Sequence, residues 1–315
     1  MKKEEFIIKV KFPRSIITGG AGFIGSNLTD HLVRIGHKVI VIDNFVSGKK
    51  TNLSHHKKKD VKIIKIDISK SKKLYKYFKG ADYIFHLAGL AEIIPSIKNP
   101  KKYFDNNVIG SLNVVEAAKK AKIKKLIYAA SSSCYGTPKS FPTSEKDKID
   151  LKHPYAVTKF MGEELIMKYA SIFNMPNISF RFFNVYGPRL NTSGQYSAVI
   201  GNFLSQTRKK KPLTIVGNGK QTRDFIHVDD LANAFIKVIK SKSVNKIYNL
   251  GSGKRTSINT IAKIFGGKKK FIPIRPGEPK NSLANISKIK KEINWKPEIT
   301  IEEGIKKLLK INKSN

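Results

Sequence analysis

The stretch "TGGAGFIGSNL", residues 18–28, spaces three glycines as G-x-x-G-x-x-G, with Gly19, Gly22 and Gly25 in the glycine positions. An apolar run, "RSIIT", precedes it, and apolar residues at helical spacing follow it. This order is typical of a strand, a tight turn and a helix N-terminus, where backbone N–H groups can approach a phosphate. The stretch therefore predicts a phosphate-binding turn that opens an α/β fold.

Apolar runs and helical segments alternate along the first two thirds of the chain. The expected strands are 14–18, 39–43, 61–67, 81–89, 124–132 and 177–187. The expected helices between them are 70–79, 99–121 and 154–173. Strands that alternate with helices form βαβ units, so we expect a doubly wound parallel sheet.

After residue 187 this rhythm breaks, with helices expected near 198–209 and 229–241. We interpret the last third as a smaller C-terminal α/β substrate domain, with one segment returning to the sheet. The predicted first domain is 1–184 with the returning segment 222–252. The predicted second domain is 185–221 with 253–315.

The formal net charge of +38 raises the question of nucleic acid. The excess comes from 53 lysines, against eight arginines, and is spread along the whole chain. Because no basic block with interleaved aromatic residues occurs, we expect no specific nucleic-acid binding. The rare arginines Arg181, Arg189, Arg223 and Arg275 are candidates for a bidentate grip on phosphate or carboxylate.

Other bulk features exclude further classes. No apolar run is long enough for a membrane span, and the lysine- and glutamate-containing N-terminus is a poor signal peptide. The one cysteine, Cys134, fits a reducing compartment, so we expect a cytoplasmic protein. No zinc-binding pattern occurs, and we expect no metal site.

Two acidic residues end expected strands next to the glycine turn. Asp43 lies 18 residues after Gly25 and could bind the diol of an adenosine ribose while repelling a 2′-phosphate. This favours NAD over NADP as the ligand of the turn. Asp67 ends the next expected strand and could accept a hydrogen bond from adenine.

Tyr155 and Lys159 lie four residues apart at the start of an expected helix, which places them on one face. Such a pair is equally typical of an exposed helix surface. It could also be an acid–base pair, because a nearby ammonium favours the phenolate form of a tyrosine.

Ten motifs in order decide between these readings. The chain resembles the extended short-chain dehydrogenases/reductases of the NAD-dependent epimerase/dehydratase family, and among them the UDP-N-acetylglucosamine and UDP-glucose 4-epimerases. The motifs are "TGGAGFIGSNL", "VIDNFVSGKKTNL", "DI" (67–68), "HLAG" (86–89), "DNNVIGSLNVVEAA" (105–118), "AASSSCYG" (129–136), "YAVTK" (155–159), "RFFNVYGPR" (181–189), "RDFIHVDDLA" (223–232) and "RPGEP" (275–279).

The resemblance implies a Rossmann sheet and assigns Tyr155, Lys159 and Ser131 as catalytic residues. Tyr155 would take the proton from a sugar hydroxyl while hydride moves to NAD. The implied cofactor-binding residues are Gly19, Gly22, Phe23, Ile24, Gly25, Asp43, Asn44, Ser47, Gly48, Asp67, Ile68, Leu87, Ala88, Gly89, Asn106, Tyr155 and Lys159.

The resemblance also narrows the reaction. Dehydratases and decarboxylases of the family carry an acid at the position of Ser133, and the segment 131–134 contains no carboxylate. We therefore expect 4-epimerisation of a UDP-sugar through a transient 4-keto intermediate. The implied substrate-binding residues are Ser131, Ser133, Asn184, Val199, Val216, Arg223, Arg275, Glu278 and Ser282.

Ser282 stands where an aromatic residue limits similar enzymes to glucose and galactose. A small residue leaves room for a 2-acetamido group, so UDP-N-acetylglucosamine/UDP-N-acetylgalactosamine is the expected substrate pair. UDP-glucose and UDP-glucuronate are the alternatives, and a non-catalytic NAD-binding or RNA-associated Rossmann protein is a distant one. The resemblance further implies a homodimer packed through the helices at 99–121 and 154–173.

Overall fold

Seven parallel strands form the central sheet of the chain, whose computed structural model describes residues 12–71, 73–192, 199–274 and 280–313. In chain order, all strands are β1 (Arg14–Thr18), β2 (Lys38–Asp43), β3 (Val61–Lys65), β4 (Tyr83–His86), β5 (Lys125–Ser131), β6 (Asn177–Phe182), β7 (Asn184–Tyr186), β8 (Leu213–Val216), β9 (Thr222–Arg223), β10 (Phe225–His227), β11 (Lys246–Leu250), β12 (Thr256–Ser257) and β13 (Lys269–Ile272). The order across the sheet is β11-β6-β5-β4-β1-β2-β3, which confirms the predicted doubly wound Rossmann arrangement.

Most helices lie between these strands in the chain, and the last two, α10 and α11, follow β13. They are α1 (Phe23–Arg34), α2 (Tyr75–Phe78), α3 (Ile93–Lys98), α4 (Pro100–Phe104), α5 (Gly110–Ala121), α6 (Pro154–Ile172), α7 (Val199–Arg208), α8 (Val228–Lys240), α9 (Ile258–Phe265), α10 (Ser287–Ile293) and α11 (Ile301–Lys313). A π-helical turn, Asp105–Ile109, joins α4 to α5. Among the described residues, no helix is long and apolar enough to cross a membrane.

Alternate residues of the same strands enter two separate cores. Ile17 and Val41 belong to the cluster on one face of the sheet, and Ile16 and Ile40 belong to the cluster on the other. Successive side chains of a strand point to opposite faces. The continuous apolar runs in the sequence therefore mark strands that helices cover on both faces.

A third cluster lies outside the sheet and unites α7, α9, α11 and β8 around Phe203, Ile261 and Phe265. Two small parallel pairs, β7 with β10 and β8 with β13, and the antiparallel pair β9 with β12, belong to this part of the chain. Strand β11, from the segment expected to return, adds the seventh strand to the main sheet. The exact division into two domains stays a prediction.

Three expected elements differ from the structure. The expected strand 177–187 is interrupted at Phe183, because the backbone N–H of Asn184 donates to Asp224 O at 3.1 Å and β7 leaves the main sheet. The expected helix 70–79 is reduced to α2, since only Leu74 among the residues before Tyr75 offers an apolar side chain to bury. The expected helix 99–121 is divided by the π-helical turn.

Candidate active site

The two halves of the sheet diverge at one point, between β1 and β4. The chain leaves β1 toward β2 and leaves β4 toward β5, so a crevice opens at the carboxyl ends of these strands. A cleft of about 2150 Å³ begins there. It extends past the glycine turn at Gly22 and past Ser131 and Tyr155 to Arg223 and Ser282. One continuous cavity therefore connects the expected cofactor and substrate residues.

The glycine turn forms the first wall of this cleft. Gly19 has a φ of +72°, and a Cβ built on it would lie 2.7 Å from the backbone nitrogen of Ala88. A side chain at Gly25 would collide with the carbonyl oxygen of Gly19. Helix α1 starts directly after Gly22 with no side-chain cap. Its first N–H groups are left for a ligand, as phosphate binding requires.

We expect Gly19→Ala to destabilise the fold by about 2–4 kcal/mol. Alanine would be held in a left-handed conformation, and its Cβ would clash with the backbone of Ala88. Gly36→Ala is the matched control. Gly36 also has a positive φ, +87°, but its added Cβ would meet only the Phe12 ring at 3.6 Å. We expect about 1 kcal/mol for that change. Urea unfolding measures both, and equal losses would contradict the close approach at Gly19.

The carboxylate of Asp43 lies beside the turn at the end of β2. Its oxygens accept hydrogen bonds from the backbone N–H of Ala21 at 3.0 Å and of Phe45 at 2.8 Å. A Cβ at Gly48 would lie 2.9 Å from these oxygens, so the space beside them is kept open. Asp43 is thus held rigidly next to the end of the glycine turn.

Asp67 and Asn44 lie at the ends of neighbouring strands and interact through their side chains. Burial opposes ionisation of Asp67, but hydrogen bonds from Ser69 and Asn44 outweigh it, and the pKa of Asp67 lies below its ordinary value. The hydrogen bonds therefore favour the carboxylate form of Asp67, the form that accepts hydrogen bonds.

These residues fit a dinucleotide. The glycine turn would hold its pyrophosphate, Asp43 its adenosine ribose and Asp67 its base. Of the predicted cofactor residues, those lining the cleft are Gly22, Phe23, Ile24, Ser47, Gly89 and Tyr155. Those in the turns and elements around it are Gly19, Gly25, Asp43, Asn44, Gly48, Asp67, Ile68, Leu87, Ala88, Asn106 and Lys159. Asn106 turns its amide toward Lys102 O at 2.8 Å.

Tyr155 stands in the first turn of α6. The helix begins at Pro154, a residue whose fixed φ suits that position, and His153 caps it by accepting from the N–H of Ala156 at 3.1 Å. The backbone N–H of Tyr155 donates to Ser96 Oγ at 3.1 Å. A ring contact with His153, at 5.8 Å between centroids, fixes the phenol further.

Two serine hydroxyls face the phenol. Ser131 ends β5, and its Oγ lies 2.8 Å from Ser133 Oγ. Burial raises the pKa of Tyr155, and hydrogen bonding with Ser131 and Ser133 offsets part of that rise. The sequence led us to expect a lowered pKa for Tyr155, whereas in the structure the pKa of Tyr155 is raised. The reason is desolvation, which the sequence does not reveal.

Lys159 lies one helical turn beyond Tyr155 and is only 7% exposed. Its Nζ stands over the ring of Tyr128 at 4.2 Å. Burial lowers the pKa of Lys159 to about 7, with Glu163 offsetting part of the effect. Burial thus disfavours the charged form of Lys159, which weakens the help that its ammonium gives to the phenolate.

The remaining arginine and substrate candidates separate into three groups. Arg181 makes a buried ion pair with Glu163 at 2.5 Å, and Arg189 pairs with Asp30 at 2.6 Å, so both grip carboxylates of the chain itself. The substrate candidates that line the cleft are Ser131, Ser133, Asn184, Val199, Val216, Arg223 and Ser282. Arg275 and Glu278 lie outside the described residues.

Three residues that support the site were missed by sequence reasoning. Ser96 holds the backbone of Tyr155, and Glu163 lies beneath Lys159. Asn107, in the π-helical turn, contacts the backbone of Leu90 and donates to Thr158 Oγ1 at 3.0 Å. Ser96 and Asn107 have no local sequence signal, because each acts on a segment far along the chain, whereas Glu163 follows Lys159 by four residues on α6 and has that spacing as a signal.

Known proteins share this architecture along nearly the whole chain. The model of the NAD dependent epimerase/dehydratase family matches residues 15–251. The UDP-glucose 4-epimerase of Mycolicibacterium smegmatis is 32% identical over 313 residues, covering 96% of this chain and 99% of that protein.

Two solved structures superpose closely on the chain. The UDP-N-acetylglucosamine 4-epimerase of Methanobrevibacter ruminantium M1, in complex with UDP-N-acetylmuramic acid, has a TM-score of 0.90 at 34% identity, covering 96% of this chain and 99% of that one. The UDP-glucuronic acid 4-epimerase of Bacillus cereus, with UDP-glucuronic acid and NAD, has a TM-score of 0.87 at 31% identity, with coverage of 96% and 99%.

The fold, the cofactor class and the family predicted from the motifs are therefore confirmed. The glycine turn at the switch point of the parallel sheet, Ser131 and Tyr155 line one cleft, and Asp43 at the end of β2 and Lys159 lie in the elements around it. The chain belongs to the NAD-dependent epimerase/dehydratase family.

Proposed function

We propose that this chain is an NAD-dependent UDP-sugar 4-epimerase, acting on UDP-N-acetylglucosamine and UDP-N-acetylgalactosamine. One observation carries the proposal. The Tyr155 phenol lies in the cleft with serine hydroxyls as partners, and the segment 131–134 supplies no carboxylate for a second proton transfer. Elimination and decarboxylation need such a group, whereas reversible oxidation at C4 does not.

The side chains divide the work as follows. Tyr155 takes the proton of the C4 hydroxyl and returns it, and Ser131 relays or stabilises that hydrogen bond. Lys159 orients the phenol from below and would hold the nicotinamide ribose. When bound, NAD would supply the hydride chemistry at C4, which allows the configuration of that carbon to be inverted.

The nucleotide is held at the other end of the cleft. We assign Arg223 and Arg275 to the diphosphate, a charge-assisted and bidentate task. Asn184 contacts the diphosphate or the sugar, while Val199 and Val216 contact the uracil, and Glu278 binds the uridine ribose. The described members Asn184, Val199, Val216 and Arg223 line one cavity with Tyr155, which supports a single extended substrate.

Ser282 sets the choice of sugar in this proposal. It lines the cleft, and its backbone N–H donates to Thr222 O at 3.1 Å, which fixes its position next to β9. We expect Ser282→Tyr to lower kcat/KM for the acetamido sugars at least about tenfold and to spare UDP-glucose, since a ring would fill the acetamido space.

Ser287→Tyr is the matched control for that change, because Ser287 is exposed at the start of α10. It should leave both activities unchanged. Coupled assays with the two sugars give the ratio. If Ser282→Tyr retained full activity on the acetamido sugars, the role of Ser282 would be wrong. If the unchanged chain turned over only UDP-glucose or UDP-glucuronate, the proposed substrate would be wrong and the proposed reaction would stand.

We also propose a homodimer packed through α5 and α6. The two helices pack against each other, and two large apolar side chains are partly exposed, Phe104 of the preceding α4 at 39% and Met161 of α6 at 38%. Light scattering on the purified protein tests this. A monomer at micromolar concentration would contradict it.

A further inference from the structure

Three polar side chains meet beside the cleft and have no part in the proposed reaction. Asp30 lies in the middle of α1, and His55 and His56 follow the 3₁₀ turn Lys50–Leu53. Both Nε2 atoms approach the same carboxylate oxygen, Asp30 Oδ1, at 2.9 Å from His55 and 2.8 Å from His56. The three ligand atoms all lie within 4.8 Å of one another.

Imidazole nitrogens with one carboxylate oxygen form a donor set that suits a first-row divalent ion. Zn²⁺ binds such atoms at roughly 2.0–2.2 Å in tetrahedral geometry, which separates neighbouring ligand atoms by about 3.3 Å. The observed N···O distances are 2.8 and 2.9 Å. Each histidine nitrogen would have to move about 0.5 Å farther from the carboxylate oxygen to make room for the ion. Mg²⁺ and Ca²⁺ prefer oxygen ligands and would not fit this set.

A neighbouring arginine orients the carboxylate. Arg189 Nη2 donates to Asp30 Oδ2 at 2.6 Å, which leaves Oδ1 directed at the two histidines. Partners of this kind fix the orientation of metal ligands. The guanidinium also offsets the carboxylate charge, so the two imidazoles would supply most of the affinity. The side chain of His55 is 50% exposed and that of His56 9%, which gives solvent one open approach.

We propose that Asp30, His55 and His56 form a three-ligand Zn²⁺ site with its fourth position open to water. The site joins α1, the segment after β2 and, through Arg189, the loop after β7. Asp30 and Arg189 both line the cleft, so the ion would lie at its edge. The absence of a zinc-binding pattern led us to expect no metal site. Asp30 and His55 are separated by 25 residues and match no zinc motif.

The test is metal titration of the full chain, purified without a histidine tag and freed of metal with a chelator. We expect one equivalent of ZnCl₂ to bind by calorimetry and CoCl₂ to give the visible absorption of a tetrahedral site. His55→Ala should weaken binding by more than the roughly 10–100-fold that loss of an outer partner costs. The double change His55→Ala/His56→Ala should abolish it.

His31→Ala is the matched control. His31 follows Asp30 on the same helix and pairs with another carboxylate, Asp229, at 3.0 Å. The His31→Ala variant should bind Zn²⁺ as tightly as the unchanged chain. Circular dichroism shows that each variant is folded, and the exposed His55 makes that change mild. Absence of Zn²⁺ binding, or binding that survives the double change, would overturn the site whether or not the chain is an epimerase.

Discussion

Replacing Tyr155 with phenylalanine is expected to lower kcat about 10³-fold while leaving the bound NAD in place. In the proposed mechanism the phenol takes and returns the sugar proton, and acid–base catalysis of this kind contributes roughly 10²–10⁴-fold. The glycine turn and Asp43, which would hold the dinucleotide, do not contact the Tyr155 hydroxyl. Product formation gives the rate, and absorbance of the denatured supernatant gives the NAD content.

Tyr103→Phe is the matched control for that experiment. Tyr103 also lines the cleft, is buried and lies close enough to Tyr155 for that residue to raise the pKa of Tyr103. We expect this variant to keep kcat within about threefold, since its hydroxyl transfers no proton. If both changes lowered kcat equally, a general effect on the cleft would explain the loss, and the assignment of Tyr155 as the base would be wrong.

Lys159→Met is expected to lower activity about 10²-fold or more and at the same time to raise thermal stability. The ammonium is buried, and its pKa is lowered from 10.5 to about 7. Between those pH values the unfolded chain binds a proton that the folded chain has lost. The stability penalty of Lys159 is therefore complete below about pH 7 and fades as the pH rises toward 10.5.

The gain in Tm from Lys159→Met should accordingly be largest at about pH 6 and small near pH 10. Methionine has a similar length and no charge, and Glu163 keeps its ion pair with Arg181, so no buried carboxylate loses its main partner. Each kcal/mol relieved corresponds to about 2–4 °C at most in a chain of this size. Thermal unfolding at several pH values measures it.

Lys124→Met is the matched control, and we expect it to give no gain in Tm. Lys124 is an exposed lysine whose pKa is raised by Asp82, through a contact of 2.9 Å. Its removal should leave Tm unchanged or lower it slightly, because exposed ion pairs contribute little. A Lys159→Met protein no more stable than the Lys124→Met protein at about pH 6 would contradict the burial of a charged lysine in the active site.

Local sequence patterns accounted for the elements that decide the fold. The glycine turn, β1, β2 and α6 lie within about two residues of their expected positions, because apolar runs and helix-start signals act over short distances. The break at Phe183 could not be predicted in this way. It depends on the backbone of Asp224, some 40 residues later, which draws β7 out of the sheet.

In the candidate site, too, local features could be predicted from the sequence and contacts between distant residues could not. The four-residue spacing of Tyr155 and Lys159 was visible in the sequence, and the family motifs indicated that the two residues form a catalytic pair. The supports of the pair were not visible, since Ser96 lies 59 residues before Tyr155. The pKa directions of both residues follow from burial, which tertiary packing creates. Arg181 grips a carboxylate, as one of its two expected ligands, but its partner Glu163 on α6 could not be identified from the sequence.

The most direct test of the account follows the hydrogen on C4. UDP-N-acetylglucosamine carrying deuterium at C4 is incubated with the purified protein in ordinary water, without added NAD, and the products are separated and analysed by mass spectrometry. Hydride that leaves C4 and returns to it predicts UDP-N-acetylgalactosamine with the deuterium retained. Product that has exchanged its deuterium for solvent hydrogen, or the absence of product with and without added NAD, would contradict 4-epimerisation of this sugar by the Tyr155 site.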